Sequence, residues 1–184
     1  RLVGVHKVDW HARLLQLEHP KEIYGAVFSA RETSECGQAQ HHENLRLIAA
    51  APQDYPVPSS LYQAVIIAAY NESYEVIQPT IESVKHTTYD NKHLIVYLAY
   101  EERGGDAIQR TAVRLQKRYK DTFFTFQIVQ HPKDMPGELV GKGPNITYAA
   151  QHLREWCDAH VMAYDKVIVT TLDADNRPHP TYFD

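Results

Sequence analysis

The stretch Val167-Ile168-Val169-Thr170-Thr171-Leu172-Asp173-Ala174-Asp175 constrains the fold more than any other part of this chain. It is a β-branched run of the buried-strand type, and it stops at two carboxylates one residue apart. Side chains alternate along a strand, so residues i and i+2 share a side. Asp173 and Asp175 therefore point the same way if strand geometry carries on past Leu172, and Asn176-Arg177-Pro178 ends the pattern. Open α/β sheets bind ligands beyond the carboxyl ends of their strands. Two like charges held together are costly unless they share a proton or a cation. The pair reads either as a divalent-metal site facing an anionic ligand or as a solvated acidic turn.

The rest of the chain supplies the sheet such a strand needs. Ala64-Val65-Ile66-Ile67-Ala68-Ala69 is a short continuous apolar run, as in strands covered on both faces. Tyr74 to Thr87 is a helix candidate with Val76, Ile77, Ile81 and Val84 as its apolar stripe; Pro79 suits a first turn, which moves the expected start to near Gln78. His93 to Tyr100 reads as a second strand. A polar turn, Glu101 to Gly105, follows it, with Asp106 as the expected N-cap of a helix over Ala107 to Tyr119. Thr122 to Gln130 is a third strand, His131 to Gly143 a loop with Lys133 and Lys142, Asn145 to Trp156 a helix, and Lys166 to Leu172 the fourth strand. Strands alternating with helices predict an α/β fold with a mostly parallel sheet, flanking helices and right-handed crossovers.

Residues 1 to 60 read as a helical and irregular extension, and 61 to 184 as the α/β domain. In the extension Asp9 caps a helix through Leu17, and Glu22 to Ala30 admits helix or strand. Thr33 to His42 reads as loop, Glu43 to Ala51 as a helix stopped by Pro52, and Pro52 to Ser60 as an extended linker. His41-His42 reads as exposed polar loop rather than a metal pair, since no H-E-x-x-H spacing supports a zinc site.

Composition narrows the function. The chain has 184 residues with a net charge of −4, which gives no basic field for nucleic acid. Its two cysteines, Cys36 and Cys157, imply no disulfide framework. With no secretory signal at its start, a cytoplasmic setting is expected. The chain begins at Arg1 and ends shortly after the acidic pair, so we read it as part of a longer protein. Membrane segments of that parent would put it at the cytoplasmic face of a membrane. Gly137 to Gly143 lacks the G-x-x-x-x-G-K-[ST] spacing, and no G-x-G-x-x-G follows the first strand. Pro178 stands where a calcium loop needs glycine. Asn71-Glu72-Ser73 and Asn145-Ile146-Thr147 match glycosylation sequons by chance.

Four strand-end elements converge: Tyr70-Asn71-Glu72, Glu101-Glu102, the Lys142 loop, and Asp173 with Asp175. A carboxylate pair and a lysine-bearing loop suit a nucleoside diphosphate with Mg²⁺ or Mn²⁺, since hard cations take carboxylate and phosphate oxygens.

With those pieces together, residues 61 to 184 resemble a family-two glycosyltransferase, closest in look to bacterial members that are often membrane-attached or processive. The resemblance rests on Val65 to Glu72 followed by Thr80-Ile81-Glu82-Ser83-Val84. It rests also on Gly141-Lys142-Gly143-Pro144-Asn145-Ile146-Thr147-Tyr148-Ala149, like the family's G-K-x-x-x-N-x-A segment, and on Leu172-Asp173-Ala174-Asp175 with Pro180 and Tyr182-Phe183. It implies a Rossmann-like GT-A (nucleotide-diphospho-sugar transferase) fold, incomplete at the C-terminus. Ala69, Tyr70 and Glu72 would sit by the nucleoside, and Lys142 by the phosphates or the sugar. Asp173 would contact ribose or metal, and Asp175 would ligate the metal. The family's Asp-rich turn with Ser-Asp-Gly is replaced here by Ala99 to Gly105, where the resemblance leaves Glu101 to substitute for the base-contacting Asp; the base is left open between UDP- and GDP-sugars. Arg177 and His179 read as surface residues, and Tyr70 and Tyr100 admit a packing role. The expected activity is metal-dependent, inverting transfer to a glycan or lipid hydroxyl. The general base is expected beyond Asp184, so the chain alone is expected to hold the donor and transfer little or nothing. Two other readings stand beside this one. A non-catalytic interaction module would bind no nucleoside diphosphate. A nucleotidyltransferase of similar topology is opposed by the acidic turn Tyr70 to Ser73.

Overall fold

The structure is a computed structural model that describes residues 8–27, 37–139 and 141–184, with only the backbone described for 24–27. The chain divides into two compact units, Arg1–Leu61 with Asp184, and Tyr62–Phe183.

The first unit contains α1 (Trp10–Gln16), α2 (Pro20–Val27) and α3 (Gln38–Ala50). The Asp9 side chain caps α1 by accepting the Ala12 N–H at 2.9 Å. Pro20 opens α2, where a missing N–H costs nothing. Residues 28–30 of the Glu22 to Ala30 segment lie outside the described residues. So do residues 33–36 of the Thr33 to His42 loop, Cys36 included. From Gln38 onward that expected loop is helix. Gly37 takes the left-handed conformation that starts the helix (φ 69°). Side-chain pairs one turn apart, Gln38 with His42 and Gln40 with Asn44, support it. The expected linker is also more ordered than an extended chain. It forms two 3₁₀ turns, Pro52–Asp54 and Pro58–Ser60, each opened by a proline whose ring presets φ. The Glu18 carboxylate fixes the second turn by accepting the Ser59 N–H at 2.6 Å and its hydroxyl at 3.0 Å.

The histidine pair is engaged by amides: His41 Nε2 lies 2.7 Å from Gln16 Oε1, and His42 Nε2 lies 2.7 Å from Gln38 Nε2. Burial, then the Arg13 and His42 charges, hold the His41 imidazole below its ordinary value of 6.5. The folded unit therefore favours neutral His41. As pH falls below about 6.5 the unfolded chain takes up a proton that the folded unit resists, so stability is lost downward from there. Amide exchange of α3 measured from pH 7.5 to 5 should accelerate beyond its intrinsic pH dependence, and His41→Gln should flatten that excess.

The second unit is α/β. Its elements are β1 (Tyr62–Ala69), α4 (Tyr74–Lys85), β2 (Leu94–Glu101), α5 (Gly105–Tyr119), β3 (Thr125–His131), α6 (Lys142–Ala159) and β4 (Val167–Asp173). The four strands form one all-parallel sheet in the order β3-β2-β1-β4, a Rossmann-like arrangement. Ala64, Ile66, Ile95, Tyr97, Ala99 and Val129 face Ala149, Leu153 and Cys157 of α6. Alternation sends the intervening residues to the opposite face. Helix α5 packs on β2 and β3, burying Ile108, Ala112, Leu115 and Tyr119 at spacings of three and four.

Several bounds differ from expectation for physical reasons. Helix α4 starts at Tyr74 and runs through Pro79. The proline leaves the Glu75 carbonyl without its usual donor, at a residue that is exposed. Burial of Ile77, Ile81 and Val84 outweighs the loss. Gly104, not Asp106, is the N-cap of α5. The third strand starts later because Phe123 turns into the core against Tyr119 and Phe126. Helix α6 starts earlier, at Lys142, since Pro144 lies where N–H groups are unpaired anyway. Strand β4 is an edge, pairing only with β1 among the described strands. Ile168 and Val169 are therefore 44% and 52% exposed, against the buried-strand expectation.

Helix α6 closes with Met162 N–H on the Cys157 carbonyl (2.9 Å) and Val161 N–H on that of Asp158 (3.2 Å). This puts Val161 at φ 55°, a left-handed position a β-branched residue resists. Val161 is 92% exposed and returns little packing. Val161→Asn should stabilise the unit by roughly 1 kcal/mol, seen as a higher urea midpoint at unchanged slope.

Candidate functional site

Strands β2 and β3 lie to one side of β1, and β4 to the other. The carboxyl ends of β1 and β4 thus form the point where the chain reverses its direction across the sheet, the standard crevice for a ligand in such sheets. A cleft of about 560 Å³ opens there. Ala69, Tyr70 and Glu72 line it from the end of β1, and Glu101 and Arg103 from β2. Gly141, Lys142 and Asn145 line it from the start of α6, and Asp173 to Asp175 from β4. The residues expected to hold the nucleotide-sugar and the metal, Ala69, Tyr70, Glu72, Glu101, Lys142, Asp173 and Asp175, border this one cleft, whereas Asn71 and Glu102 of the converging strand ends do not line it.

The acidic turn is built from backbone outward. Asp173 and Asp175 are exposed while Ala174 is 3% exposed, so strand alternation persists just past β4. The Asn176 side chain accepts the Asp173 N–H at 2.8 Å, and the Asn176 N–H returns to the Asp173 carbonyl at 3.1 Å. Buried Thr80 of α4 donates to the Ala174 carbonyl at 2.5 Å. Arg177 donates to the Thr80 hydroxyl, to the Val76 carbonyl at 3.2 Å and to the Asn176 carbonyl at 2.8 Å. Arg177 is therefore not an idle surface residue; it clamps the turn to α4. Asn176 and Thr80 belong to the same clamp, and sequence reasoning passed over both.

Lys142 pairs with Asp173 across the cleft. Both side chains are about half exposed, at 48% and 53%, so the pair is worth on the order of 0–1 kcal/mol and a stronger ligand can break it. Among the described residues no group of three or more His, Cys, Asp or Glu is gathered to hold a metal. The end of β4 and the turn after it offer two carboxylates, Asp173 and Asp175. That donor set suits Mg²⁺ or Mn²⁺, which complete their shells with water and substrate phosphates, and does not suit a structural zinc cage. The first turn of α6 adds unpaired N–H groups beside Lys142, the positive end of an 18-residue helix.

The opposite wall is more tightly built. The Glu72 carboxylate folds back to accept the Tyr70 N–H at 2.6 Å and fixes the turn after β1. The Tyr70 side chain is 48% exposed in the cleft, whereas Tyr100 is 3% exposed and packs in the core, where burial raises its hydroxyl above the ordinary value. Asn145, 2% exposed, donates from Nδ2 to the carbonyls of Ala69 (3.2 Å) and Ala99 (3.3 Å), stitching the ends of β1 and β2 together. Glu101 is buried, with Oε2 3.1 Å from His131 Nδ1. The sequence showed no sign of His131, because its role depends on the register that sets it beside Glu101.

A comparison with protein-family models finds no match, and a comparison with curated proteins finds none either. What defines the protein is thus its own architecture: a parallel α/β unit with a ligand-sized cleft at the strand carboxyl ends, acidic on the β4 side and lysine-bearing at the head of α6.

Proposed function

We propose that this cleft binds a nucleoside diphosphate together with Mg²⁺ or Mn²⁺, and that the second unit is the donor-binding part of a GT-A-type glycosyltransferase acting on a UDP- or GDP-sugar. The observation that carries the reading is the meeting of Asp173, Asp175, Lys142 and the α6 N-terminus across one cleft of about 560 Å³. That volume falls within the range of small-molecule and cofactor sites.

In this reading Asp175 and Asp173 hold the cation. Lys142 turns from Asp173 to the diphosphate, joined by the unpaired N–H groups of α6. Tyr70 offers a ring face to the base, and Ala69 leaves room for the nucleoside. A buried carboxylate such as Glu101 accepts an N–H but cannot donate one when ionised, which suits the imino N–H of uracil or guanine. When bound, the metal supplies Lewis-acid assistance to the departing diphosphate. Transfer with inversion also needs an acceptor-side general base to deprotonate the glycan or lipid hydroxyl; no residue of this chain is assigned that role. No described helix is long and apolar enough to cross a membrane.

Calorimetric titration of UDP, GDP, CDP and ADP, each with Mn²⁺ and with EDTA, tests the reading. Saturable, metal-dependent binding of UDP or GDP is expected. Absence of binding by all four would overturn it in favour of an interaction module, and tighter binding of UTP or GTP than of the matching diphosphate, in a parallel titration, would favour a nucleotidyltransferase.

A further inference from the structure

Strand β3 ends at His131, which stands opposite Glu101 in the β2–β3 register. Its imidazole is 2% exposed and packs edge-on against Tyr148 of α6, with centroids 5.2 Å apart. Nδ1 lies 3.1 Å from Glu101 Oε2, and Nε2 lies 2.9 Å from Glu138 Oε2. An ionised carboxylate only accepts, so both contacts are hydrogen bonds when the ring carries a proton on each nitrogen or when one of the two carboxyls is protonated; either way one buried ring bridges two acidic residues. The two ends of the bridge are in different places. Glu101 borders the cleft. Glu138 is on the segment Pro132–Leu139 that leaves β3 and leads toward Lys142.

That segment is tied down twice at one spot. Its start is held by Lys133 N–H on Glu102 Oε2 at 2.9 Å, and its far end by Glu138 through His131 on Glu101. Between the ties it turns through left-handed positions at Asp134 (φ 60°) and Gly137 (φ 82°), with Leu139 86% exposed just beyond Glu138. If Glu138 leaves, a buried imidazole nitrogen loses its partner, a cost that resists release. If Glu101 turns toward a ligand, the same ring is disturbed from the other side.

We propose that His131 is a positioning residue that couples Glu101 in the cleft to the segment Pro132–Leu139, so that ligand contact at Glu101 and the placement of this segment are one equilibrium. The identity of the ligand rests on the nucleoside diphosphate reading; the coupling does not.

The test is hydrogen exchange of residues 132–139 in the full chain, first without ligand. Glu138→Ala removes an outlying carboxylate and should raise exchange of this segment about tenfold, the effect of one lost hydrogen bond. Glu101→Ala, at the far end of the bridge, should raise it as well, and the double variant should exchange no faster than Glu138→Ala. Additive effects, or no response to Glu101→Ala, overturn the coupling. A merely structural loss would accelerate β1 as well, so β1 exchange is the control. Should Glu101→Ala fail to fold, His131→Asn replaces it: the amide retains a donor toward Glu101 but does not reach Glu138, so the segment should exchange as in Glu138→Ala, and wild-type exchange overturns the proposal. In a second arm, saturating UDP with Mn²⁺ should speed exchange of the segment in the wild type, by drawing Glu101 away from His131, and should add nothing in Glu138→Ala. A chain that passes the first arm and binds no nucleoside diphosphate keeps the coupling and loses the ligand assignment. A chain that binds UDP with additive first-arm effects keeps the assignment and loses the coupling.

Discussion

Asp175→Ala is expected to abolish metal-dependent binding of nucleoside diphosphate, with affinity for UDP or GDP in the presence of Mn²⁺ falling on the order of a hundredfold or more. Asp175 is exposed at the cleft and makes no hydrogen bond or ion pair with the described residues. Its removal should leave folding stability within about 0.5 kcal/mol of the wild type, as for other surface positions without partners. The loss is then a loss of ligand chemistry alone. With EDTA the wild type should bind no better than the variant, and Mn²⁺ should add nothing to the variant. Asp173→Ala should behave differently. It removes a metal ligand but also releases Lys142 from its ion pair, leaving the ammonium free for the diphosphate. Its loss should be smaller, and its residual binding more sensitive to salt, because a lysine–phosphate contact is screened more than metal coordination. Unchanged metal-dependent affinity in Asp175→Ala would remove the acidic pair from any role in ligand binding.

These contrasts also mark what could be read from the chain before folding. The alternation of strand and helix was legible because burial on both faces forces runs such as Ala64 to Ala69 and Leu94 to Tyr100 to be continuously apolar, and flanking helices carry stripes at spacings of three and four. The exposure of β4 was not, since Val167 to Leu172 has the same composition as an interior strand and only the neighbours decide. The positions of Asp173, Asp175 and Lys142 at the cleft were legible because they follow from a strand end and a loop. The parts that hold them were not. Arg177 acts on Thr80, 97 positions away, and His131 on Glu101, 30 positions away, and both depend on packing that no short motif encodes. Pro79 misled for the same reason: a local rule about helix interiors was outweighed by the buried face of α4.

The same distinction governs Gly104→Ala, the second change expected to have a large effect. Gly104 has ordinary helical dihedrals (φ −70°, ψ −11°), so any residue could adopt its conformation. Space is what demands glycine. A Cβ there would lie 2.0 Å from the Tyr70 carbonyl oxygen and 2.8 Å from Ile108 Cγ2. Carbon contacts are favourable only at about 3.5–4.0 Å, so the turn Glu102–Gly104 must retreat from the end of β1 by more than about 1 Å. The obstacle is backbone rather than a flexible side chain, and it adjoins the Ala69–Tyr70 peptide that Asn145 and Glu72 hold. The cost should reach about 3 kcal/mol, the upper part of the range for overpacking, read as a lower urea midpoint. The retreat also separates Glu101 and Arg103 from Tyr70, so nucleotide affinity should fall even where the variant is fully folded. Gly105→Ala is the control. Its φ of 76° makes alanine strained, at about 1–3 kcal/mol, but nothing lies within 4 Å of the added methyl. It should lose stability and keep affinity. Wild-type affinity in folded Gly104→Ala would mean that the wall formed by Tyr70 and Glu101 does not depend on this contact, and the close approach would then serve the fold rather than the cleft.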